Sequence, residues 1–196
     1  MKVEIRADGA HITGYVNVTG KKSRPVITPR GKVIEIIEER AFEKALERAG
    51  NITVTVDHDN SHVYASTDDG TLSLYEDAIG LHADVIIKDE TLIELAKKGK
   101  IKGWSFGMYN VVDEIEPRAD DLPIRRVKSL DLDHLTLVVN KNPCYSATSV
   151  ELRAGEDICV EERASEQDVK VIVETPQKTI DYSAYERRIS SLKVGK

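Results

Sequence analysis

The sequence predicts a mainly β domain with a few helices (α+β), folded as a closed or nearly closed β-barrel flanked by helices. Hydrophobic residues make up 40% of the chain but aromatic residues only 5%, so the core must consist mainly of Val, Ile and Leu. Two of these three are β-branched and favour strands. Short runs of alternating apolar and polar residues recur between glycine-containing turns, as in half-buried strands. About seven to nine strands are expected, and so many strands require covered edges, which closure provides.

Local patterns give the order of the predicted elements. Residues 3–18 alternate as a hairpin of two strands, and the stretch at 21–32, rich in Pro, Arg and Lys, is typical of a loop. Helical spacing of apolar residues predicts two helices, at 40–49 and 89–98, each followed by a glycine. The remaining predicted strands cover residues 52–56, a short run around 72–74, then 80–87, 101–112, 124–139 and 147–152.

The chain is predicted to hold one domain and a tail. A length of 196 residues suits a single domain of ordinary size. Residues 1–153 carry the strand and helix patterns, whereas charged and amide side chains dominate 155–170. Residues 154–196 are therefore predicted as a weakly ordered C-terminal tail, within which 169–173 could pair as an edge strand.

Charge and cysteine content restrict the function classes. Lys and Arg total 28 against 34 Asp and Glu, a net charge of −6, so the long-range attraction to phosphate that nucleic-acid binders need is missing. No nucleic acid is expected as a partner. No apolar run is long enough for a membrane span, and no signal stretch opens the chain. The two cysteines, Cys144 and Cys159, form neither a disulfide framework nor a metal-type spacing, which favours a reducing cytoplasm. No cofactor is expected.

Ser105 has a local setting suited to a nucleophile. It lies in a predicted apolar strand between Gly103 and Gly107, and small flanking residues let a substrate backbone approach closely. The alternative is an ordinary strand serine beside a bulge, because the strand-to-helix elbow of the α/β-hydrolases is missing.

Two histidines are candidates for the base that such a serine needs. His58 ends a predicted strand between Asp57 and Asp59, whose carboxylates could hold its ring in place. His134 lies in a predicted strand that is buried on one side, where a structural role is the alternative. In that strand Asp133 is expected on the face opposite His134.

A metal site is a further alternative. His58 and His62 are four residues apart, with Asp57 and Asp59 beside them, and metals accept such ligands. The pattern would suit one face of a helix, however, and the intervening sequence Asp-Asn-Ser favours a turn. No metal is therefore predicted.

Together these motifs resemble the prohead proteases of tailed bacteriophages, a family related in fold to the herpesvirus capsid-maturation proteases. The resemblance covers residues 10–150, and a His-Asp strand end followed by a helix and Gly-x-Ser-Phe-Gly is its most specific part. One departure is Glu39-Arg40-Ala41-Phe42, where Pro-Gly-Ala-Phe is the common spelling. The matching pieces are the strand at 12–18, the segment at 36–46, Val56-Asp57-His58-Asp59, Gly80-Leu81, residues 103–107 and the Leu-rich stretch at 132–143.

The resemblance implies a herpesvirus-protease-like fold and a serine endopeptidase. It assigns Ser105 as nucleophile and His58 as base. The third member falls on His134, as in the Ser-His-His arrangement of the herpesvirus enzymes, or on Asp133 if the register slips by one. A neutral histidine orients the base less strongly than a carboxylate, so a modest turnover is expected. Arg125 and Arg126 are candidates for stabilising the oxyanion by residue type alone.

The same resemblance implies substrates and a location. The expected substrates are the scaffold or the N-terminal scaffolding region of the major capsid protein, inside the assembling prohead in the cytoplasm of the bacterial host. Self-cleavage is implied as well, and a homodimer follows by analogy. The main alternative is a non-catalytic β-barrel module for capsid assembly, in which Ser105 is only a strand residue. A metal-dependent hydrolase centred on His58 and His62 is the second.

Overall fold

The computed structural model describes residues 1–140, 150–152 and 159–174, and these residues confirm a mainly β, α+β fold with two helices. They form a five-stranded and an eight-stranded sheet, with the apolar core between sheets and helices. In chain order the elements are β1 (Lys2–Arg6), β2 (Gly9–Val18), β3 (Pro25–Thr28), β4 (Gly31–Ile37), α1 (Ala41–Arg48), β5 (Thr53–Val56), β6 (Ala65–Ser66), β7 (Leu72–Glu76), β8 (Gly80–Ile87), α2 (Glu90–Lys97), β9 (Gly103–Glu116), β10 (Ile124–Val138), β11 (Val150–Leu152), β12 (Cys159–Glu166) and β13 (Lys170–Val173).

The five-stranded sheet has the order β13-β1-β2-β8-β7. Alternate residues of β1, β2 and β8, such as Val3, Ile12 and Val85, are buried and supply one wall of the core. β13 pairs in parallel with β1 at the edge, so the edge strand predicted at 169–173 is confirmed.

The eight-stranded sheet is organised around β10. Its main path runs β11-β12-β9-β10-β4-β3, while β5 also pairs with β10, and β6 pairs with β5. β10 lies antiparallel to β9 and parallel to both β4 and β5. The stretch predicted at 124–139 is thus one long strand whose neighbours come from three parts of the chain.

Two strands lie where the sequence predicted a loop or no element. β3 falls inside the predicted loop at 21–32, which is therefore wrong for Pro25–Thr28. Proline has no backbone N–H to donate to a neighbouring strand. This is tolerated at Pro25 because β3 is an edge strand of its sheet. The following β4 carries Glu35, which is buried, and this charged residue broke the apolar pattern of the strand.

The two helices agree with the predicted ones to within one or two residues at either end. Asp89 caps α2, because its side chain accepts a hydrogen bond of 2.8 Å from the backbone N–H of Leu92. α1 packs on β10, and the ring of its Phe42 also meets Phe106 of β9 edge to face, with the ring centroids 5.4 Å apart. In the part of the chain that the structure describes, neither helix is long and apolar enough to cross a membrane.

β12 and β13 both belong to the segment predicted as a tail, 154–196. β12 pairs with β9 and β13 with β1, so this segment contributes to both sheets. Of the predicted strand at 147–152, the structure describes Val150–Leu152 as β11, and Cys144 lies outside the described residues.

Replacing Gly80 with Ala should destabilise the five-stranded sheet. A Cβ atom at position 80 would lie 2.1 Å from the backbone oxygen of Asn17, and the φ of 154° disfavours any L side chain. Because the clash is with backbone, we expect the free energy of unfolding to fall by at least about 2 kcal/mol in urea denaturation. Gly50→Ala is the control, since no described atom lies within 4 Å of a Cβ there. A similar loss in both variants would contradict this account.

Candidate functional site

Ser105 lies in the middle of the eight-stranded sheet and is completely buried. In β9 it has Thr136 of β10 as its neighbour on one side and Ala164 of β12 on the other. Gly103 and Gly107, two residues before and after Ser105, leave the neighbouring positions on its own face of the strand without side chains. The hydroxyl group therefore has room for polar partners on its own face of the sheet.

His58 reaches Ser105 through a tight turn after β5. The backbone N–H of Asp59 donates to the carbonyl of Val56 at 2.9 Å, and Asp57 and His58 between them have φ values of 50° and 62°. Two successive positive φ values are typical of a type I′ turn, and they cost non-glycine residues conformational energy. The backbone N–H of His58 donates to Thr136 Oγ1 at 3.0 Å, which helps to fix the turn against β10.

The carboxylate of Asp57 holds this turn from the other side. It accepts hydrogen bonds of 2.9 Å from the backbone N–H groups of Val139 and Asn140, and one of 3.0 Å from Asn140 Nδ2. Asp59 instead accepts from the N–H of Ser61, whose hydrogen bonds lower the pKa of Asp59. These bonds show Asp57 fixing the backbone beneath the imidazole, and the expectation that the two carboxylates hold the ring itself stays a prediction.

Four side chains form a continuous chain of hydrogen bonds. His58 Nε2 lies 2.7 Å from Ser105 Oγ, and His58 Nδ1 lies 2.8 Å from His134 Nε2. The two imidazole rings meet edge to face, with their centroids 5.1 Å apart. His134 Nδ1 in turn lies 2.7 Å from Asp133 Oδ2. The structure thus brings together all three predicted residues and adds the carboxylate that was weighed as an alternative to His134.

The position of Asp133 differs from the sequence expectation. Strict alternation places Asp133 and His134 on opposite faces, yet their side chains contact each other. The pairing of β10 with β9 shifts register between Leu132 and His134, so Asp133 lies at an irregularity of the β-bulge type. Bulges redirect side chains in this way, and no residue type in the sequence marks this one.

β12 covers the site and adds groups that the sequence reasoning missed. Ser105 Oγ donates a hydrogen bond of 2.7 Å to the backbone carbonyl of Arg163, and Glu162 Oε1 lies 3.3 Å from His58 Nδ1. The Ser105 hydroxyl has one proton, whereas His58 Nε2 and the Arg163 carbonyl can both accept it. When the proton is donated to Arg163, His58 Nε2 must instead be the donor toward Ser105.

A buried ionic network anchors β12 from its other face. Arg163 binds Glu35 of β4, and Arg125 of β10 binds Glu161 of β12 and Asp113 of β9. Burial lowers the pKa of Arg163, but the hydrogen bonds and charges of Glu35 and Glu161 outweigh it, so the net shift is upward. Burial likewise raises the pKa of Glu161, and the two arginines overcome this and hold it below its ordinary value.

The oxyanion and metal alternatives gain no support from these contacts. Arg125 is committed to carboxylates in the network, and Arg126 pairs with Glu116 at 3.5 Å. Both ring nitrogens of His58 face Ser105 and the His134–Glu162 side of the site, whereas His62 packs on Tyr64 at a ring distance of 4.4 Å. Within 1–140 and the described parts of 150–174, no group of three or more His, Cys, Asp or Glu is arranged to hold a metal ion.

A cleft of about 860 Å³ runs beside β12. Its lining comes from β2, from the loop before β3 and from residues 162–164 of β12. Lys21, Lys22 and Arg24 give the loop side a basic character, and Glu35 contributes to the lining. β12 therefore contacts Ser105 while it also forms part of the wall of an open cleft.

Asp57→Ala should destabilise the fold, because it leaves the buried Val139 N–H without this acceptor. We expect the free energy of unfolding to fall by about 1–3 kcal/mol, measured by urea denaturation. Asp59→Ala is the matched control, since its carboxylate binds only the exposed turn at Ser61 and should cost less than about 1 kcal/mol. If Asp59→Ala proved the more destabilising variant, it would be wrong that Asp57 is the carboxylate that fastens the turn to the end of β10.

Comparison with known proteins identifies the family. Neither the curated proteins nor the solved structures gave a match to the chain. The family model described as caudovirus prohead serine protease matches residues 1–160 of the 196. That match spans the strand that carries Ser105, the turn that carries His58 and the strand that carries His134. The chain belongs to the caudovirus prohead serine protease family.

Proposed function

We propose that the protein is a serine endopeptidase that cleaves scaffold or capsid protein during phage prohead maturation, and cleaves itself, through Ser105 and His58. The family is one of serine peptidases that act inside the assembling phage capsid, where scaffold and capsid proteins are the partners. The observation that carries the proposal for this chain is the hydrogen-bonded series from Ser105 Oγ through His58 and His134 to Asp133.

The geometry is suited to acyl transfer. As Ser105 Oγ attacks a peptide carbonyl carbon, its proton passes to His58 Nε2, which lies 2.7 Å away. In that state His58 Nδ1 donates to His134 Nε2, and His134 Nδ1 donates to Asp133, so each histidine starts neutral with a defined tautomer. The positive charge that develops on His58 is then shared with a ring that faces a carboxylate.

Asp133 compensates for the weakness expected of a neutral orienting group. His134 alone would fix the tautomer of His58 but stabilise its cationic form little. The carboxylate behind His134, 2.7 Å from its second nitrogen, supplies negative charge one ring further from the reaction. The role of Asp133 is therefore that of a positioning residue, and its effect should be smaller than that of His58.

Several finer features are part of this proposal. A closed or nearly closed barrel of the herpesvirus-protease type is proposed for the whole domain. Residues 1–153 are proposed as the protease domain and 154–196 as a segment that is cut by the enzyme or binds partners. We also propose the cytoplasm of the bacterial host as the compartment, scaffold and major capsid protein as the substrates, and a homodimer as the form in solution.

Ser105→Ala should abolish cleavage, because it removes the hydroxyl group that lies 2.7 Å from His58 Nε2. Intact masses of the wild-type chain and of a capsid or scaffold substrate are followed over time, and shortening is expected only with wild type. Ser73→Ala, on the exposed edge strand β7, is the matched control and should retain activity. Equal shortening by Ser105→Ala would point to another nucleophile, and intact substrates in assembled proheads would favour a non-catalytic assembly module.

The hydrogen-bonded series from Ser105 through His58 and His134 to Asp133, here called the relay, predicts graded losses of kcat. His58→Ala should lower kcat by about 10⁴-fold or more, His134→Ala by about 10²-fold, and Asp133→Asn by less than His134→Ala. The order follows from distance to the reacting proton, and kcat on a peptide substrate measures it. His62→Ala is the control, because its ring packs on Tyr64 away from the relay. A loss with His62→Ala that matched the loss with His58→Ala would revive the metal alternative.

A further inference from the structure

β12 lies on the catalytic strand as an extended substrate would. It pairs antiparallel with β9 in a register that sets Ala164 opposite Ser105 and Arg163 opposite Phe106. Addition of a strand to a sheet is a common way to bind a peptide, because the backbone supplies affinity and alternate side chains enter pockets. The peptide bond between Arg163 and Ala164 is thereby held beside the Ser105 hydroxyl.

The side chain of Arg163 occupies a pocket that matches a guanidinium. Its Nε and Nη2 donate to the two carboxylate oxygens of Glu35 at 2.6 and 2.8 Å, and all of these groups are buried. This two-point contact fits the planar guanidinium fork, whereas a lysine ammonium can offer only a point charge. Glu35 belongs to β4 and thus to the protein body, whereas a further contact of 2.6 Å, from Arg163 Nη2 to Glu161, lies within β12.

A second pocket of opposite charge lies two residues away along the strand. Arg125 Nη1 and Nη2 donate to the two carboxylate oxygens of Glu161 at 2.5 and 2.8 Å. Residues two apart point to the same face of a strand, so Glu161 and Arg163 enter neighbouring pockets together. Glu162, between them, turns to the face of His58. The protein body beneath β12 thus offers an anion-binding group, Arg125, and a cation-binding group, Glu35, at strand spacing.

We propose that β12 is the enzyme's own substrate segment: the groups beneath β12 recognise Glu-x-Arg, with Arg125 and Glu35 as specificity residues, and the self-cleaved bond is Arg163–Ala164. This inference rests on the proposed function and names its specificity. In the described arrangement the Arg163 carbonyl oxygen faces Ser105 and accepts a hydrogen bond from its hydroxyl group, which is a resting pose. Attack requires the carbonyl to turn so that its carbon faces Oγ.

The chemistry then balances without a co-reactant other than water. Ser105 Oγ forms a bond to the Arg163 carbonyl carbon while its proton moves to His58 Nε2. The bond from that carbon to the Ala164 nitrogen breaks, and the proton on His58 goes to this nitrogen, which becomes a new amino terminus. Water next attacks the acyl-enzyme and gives a proton to His58. The Arg163 carboxylate leaves, and Ser105 regains its proton.

The specificity of the pockets is testable with peptides, which leave the protein unchanged. The substrate is the chain's own segment 160–167, Val-Glu-Glu-Arg-Ala-Ser-Glu-Gln, compared with versions carrying Gln or Lys in place of Arg, or Gln in place of the first Glu. Without a guanidinium at this position the buried Glu35 loses its two-point partner and keeps the Arg125 contact of 3.1 Å. We therefore expect Arg→Gln to lower kcat/KM about 10²-fold or more, and Arg→Lys to have an intermediate effect.

Variants of the enzyme test the same specificity from the side of the pocket. Glu35→Gln should lower kcat/KM for the Arg peptide and narrow the gap between the Arg and Gln peptides, whereas Glu39→Gln, an exposed neighbour, should leave both unchanged. In the full chain, mass spectrometry should find fragments that end at Arg163 and begin at Ala164. Arg163→Gln should suppress this cut, and Arg126→Gln, on the surface, should not.

The outcomes separate the two levels of the proposal. Cleavage that depends on Ser105 but falls at other bonds, with equal rates for the Arg and Gln peptides, would overturn the specificity and leave the protease function intact. Absence of any cleavage that depends on Ser105, in peptides and in proheads, would overturn both. If Glu35→Gln fails to fold, the peptide series with the wild-type enzyme still decides the question.

Discussion

The pairing of β10 with three other strands positions every part of the candidate site. β9 brings Ser105 beside Thr136 on one edge of β10, and β5 runs parallel to the same stretch on the other edge. The turn after β5 therefore starts one strand away from Ser105, and the left-handed conformations of Asp57 and His58 return the imidazole across that gap. Such conformations persist only when surrounding contacts hold them. The hydrogen bonds of Asp57 to the end of β10 and of Thr136 to the backbone of His58 do this.

Ion pairs hold β12 in place over the candidate site. Two arginines and three carboxylates, contributed by β4, β9, β10 and β12, meet in the buried network. Buried ion pairs add little net stability compared with apolar packing, but loss of one partner is strongly unfavourable. Such a network favours strands of matching charge, because a strand with the wrong charges leaves a buried charge of the network unpaired. The groups that fasten β12 are therefore the groups that can distinguish one incoming strand from another.

Sequence reasoning could find the proposed nucleophile and the proposed base because each carries a local signal. Ser105 stands between glycines in an apolar strand, and His58 follows a strand end, and the spacing of both matched a known family. The contact of Asp133 with His134 depends on a register shift between β9 and β10, which no single-strand pattern contains. β12 was missed for a related reason: its Glu and Arg side chains are typical of a solvated tail, and they are buried only because Glu35 and Arg125 lie far away in sequence and close in space.

Because β12 lies across Ser105, any other protein must compete with this strand before it can be cleaved. A tethered segment competes at an effective concentration that is in the millimolar range for short flexible connections. A substrate in dilute solution competes poorly with this, whereas the proposed scaffold and capsid substrates, confined with the enzyme inside one shell, can approach it. With β12 in place, the Ser105 proton is shared between His58 and the Arg163 carbonyl, so the strand lowers both access and nucleophilicity. The proposed cut between Arg163 and Ala164 divides β12: residues up to Arg163 stay joined to the domain, and the Ala164 side is released from Ser105 as a new amino terminus. A divided strand covers Ser105 less firmly, and because hydrolysis is not reversed under these conditions, this change proceeds in one direction.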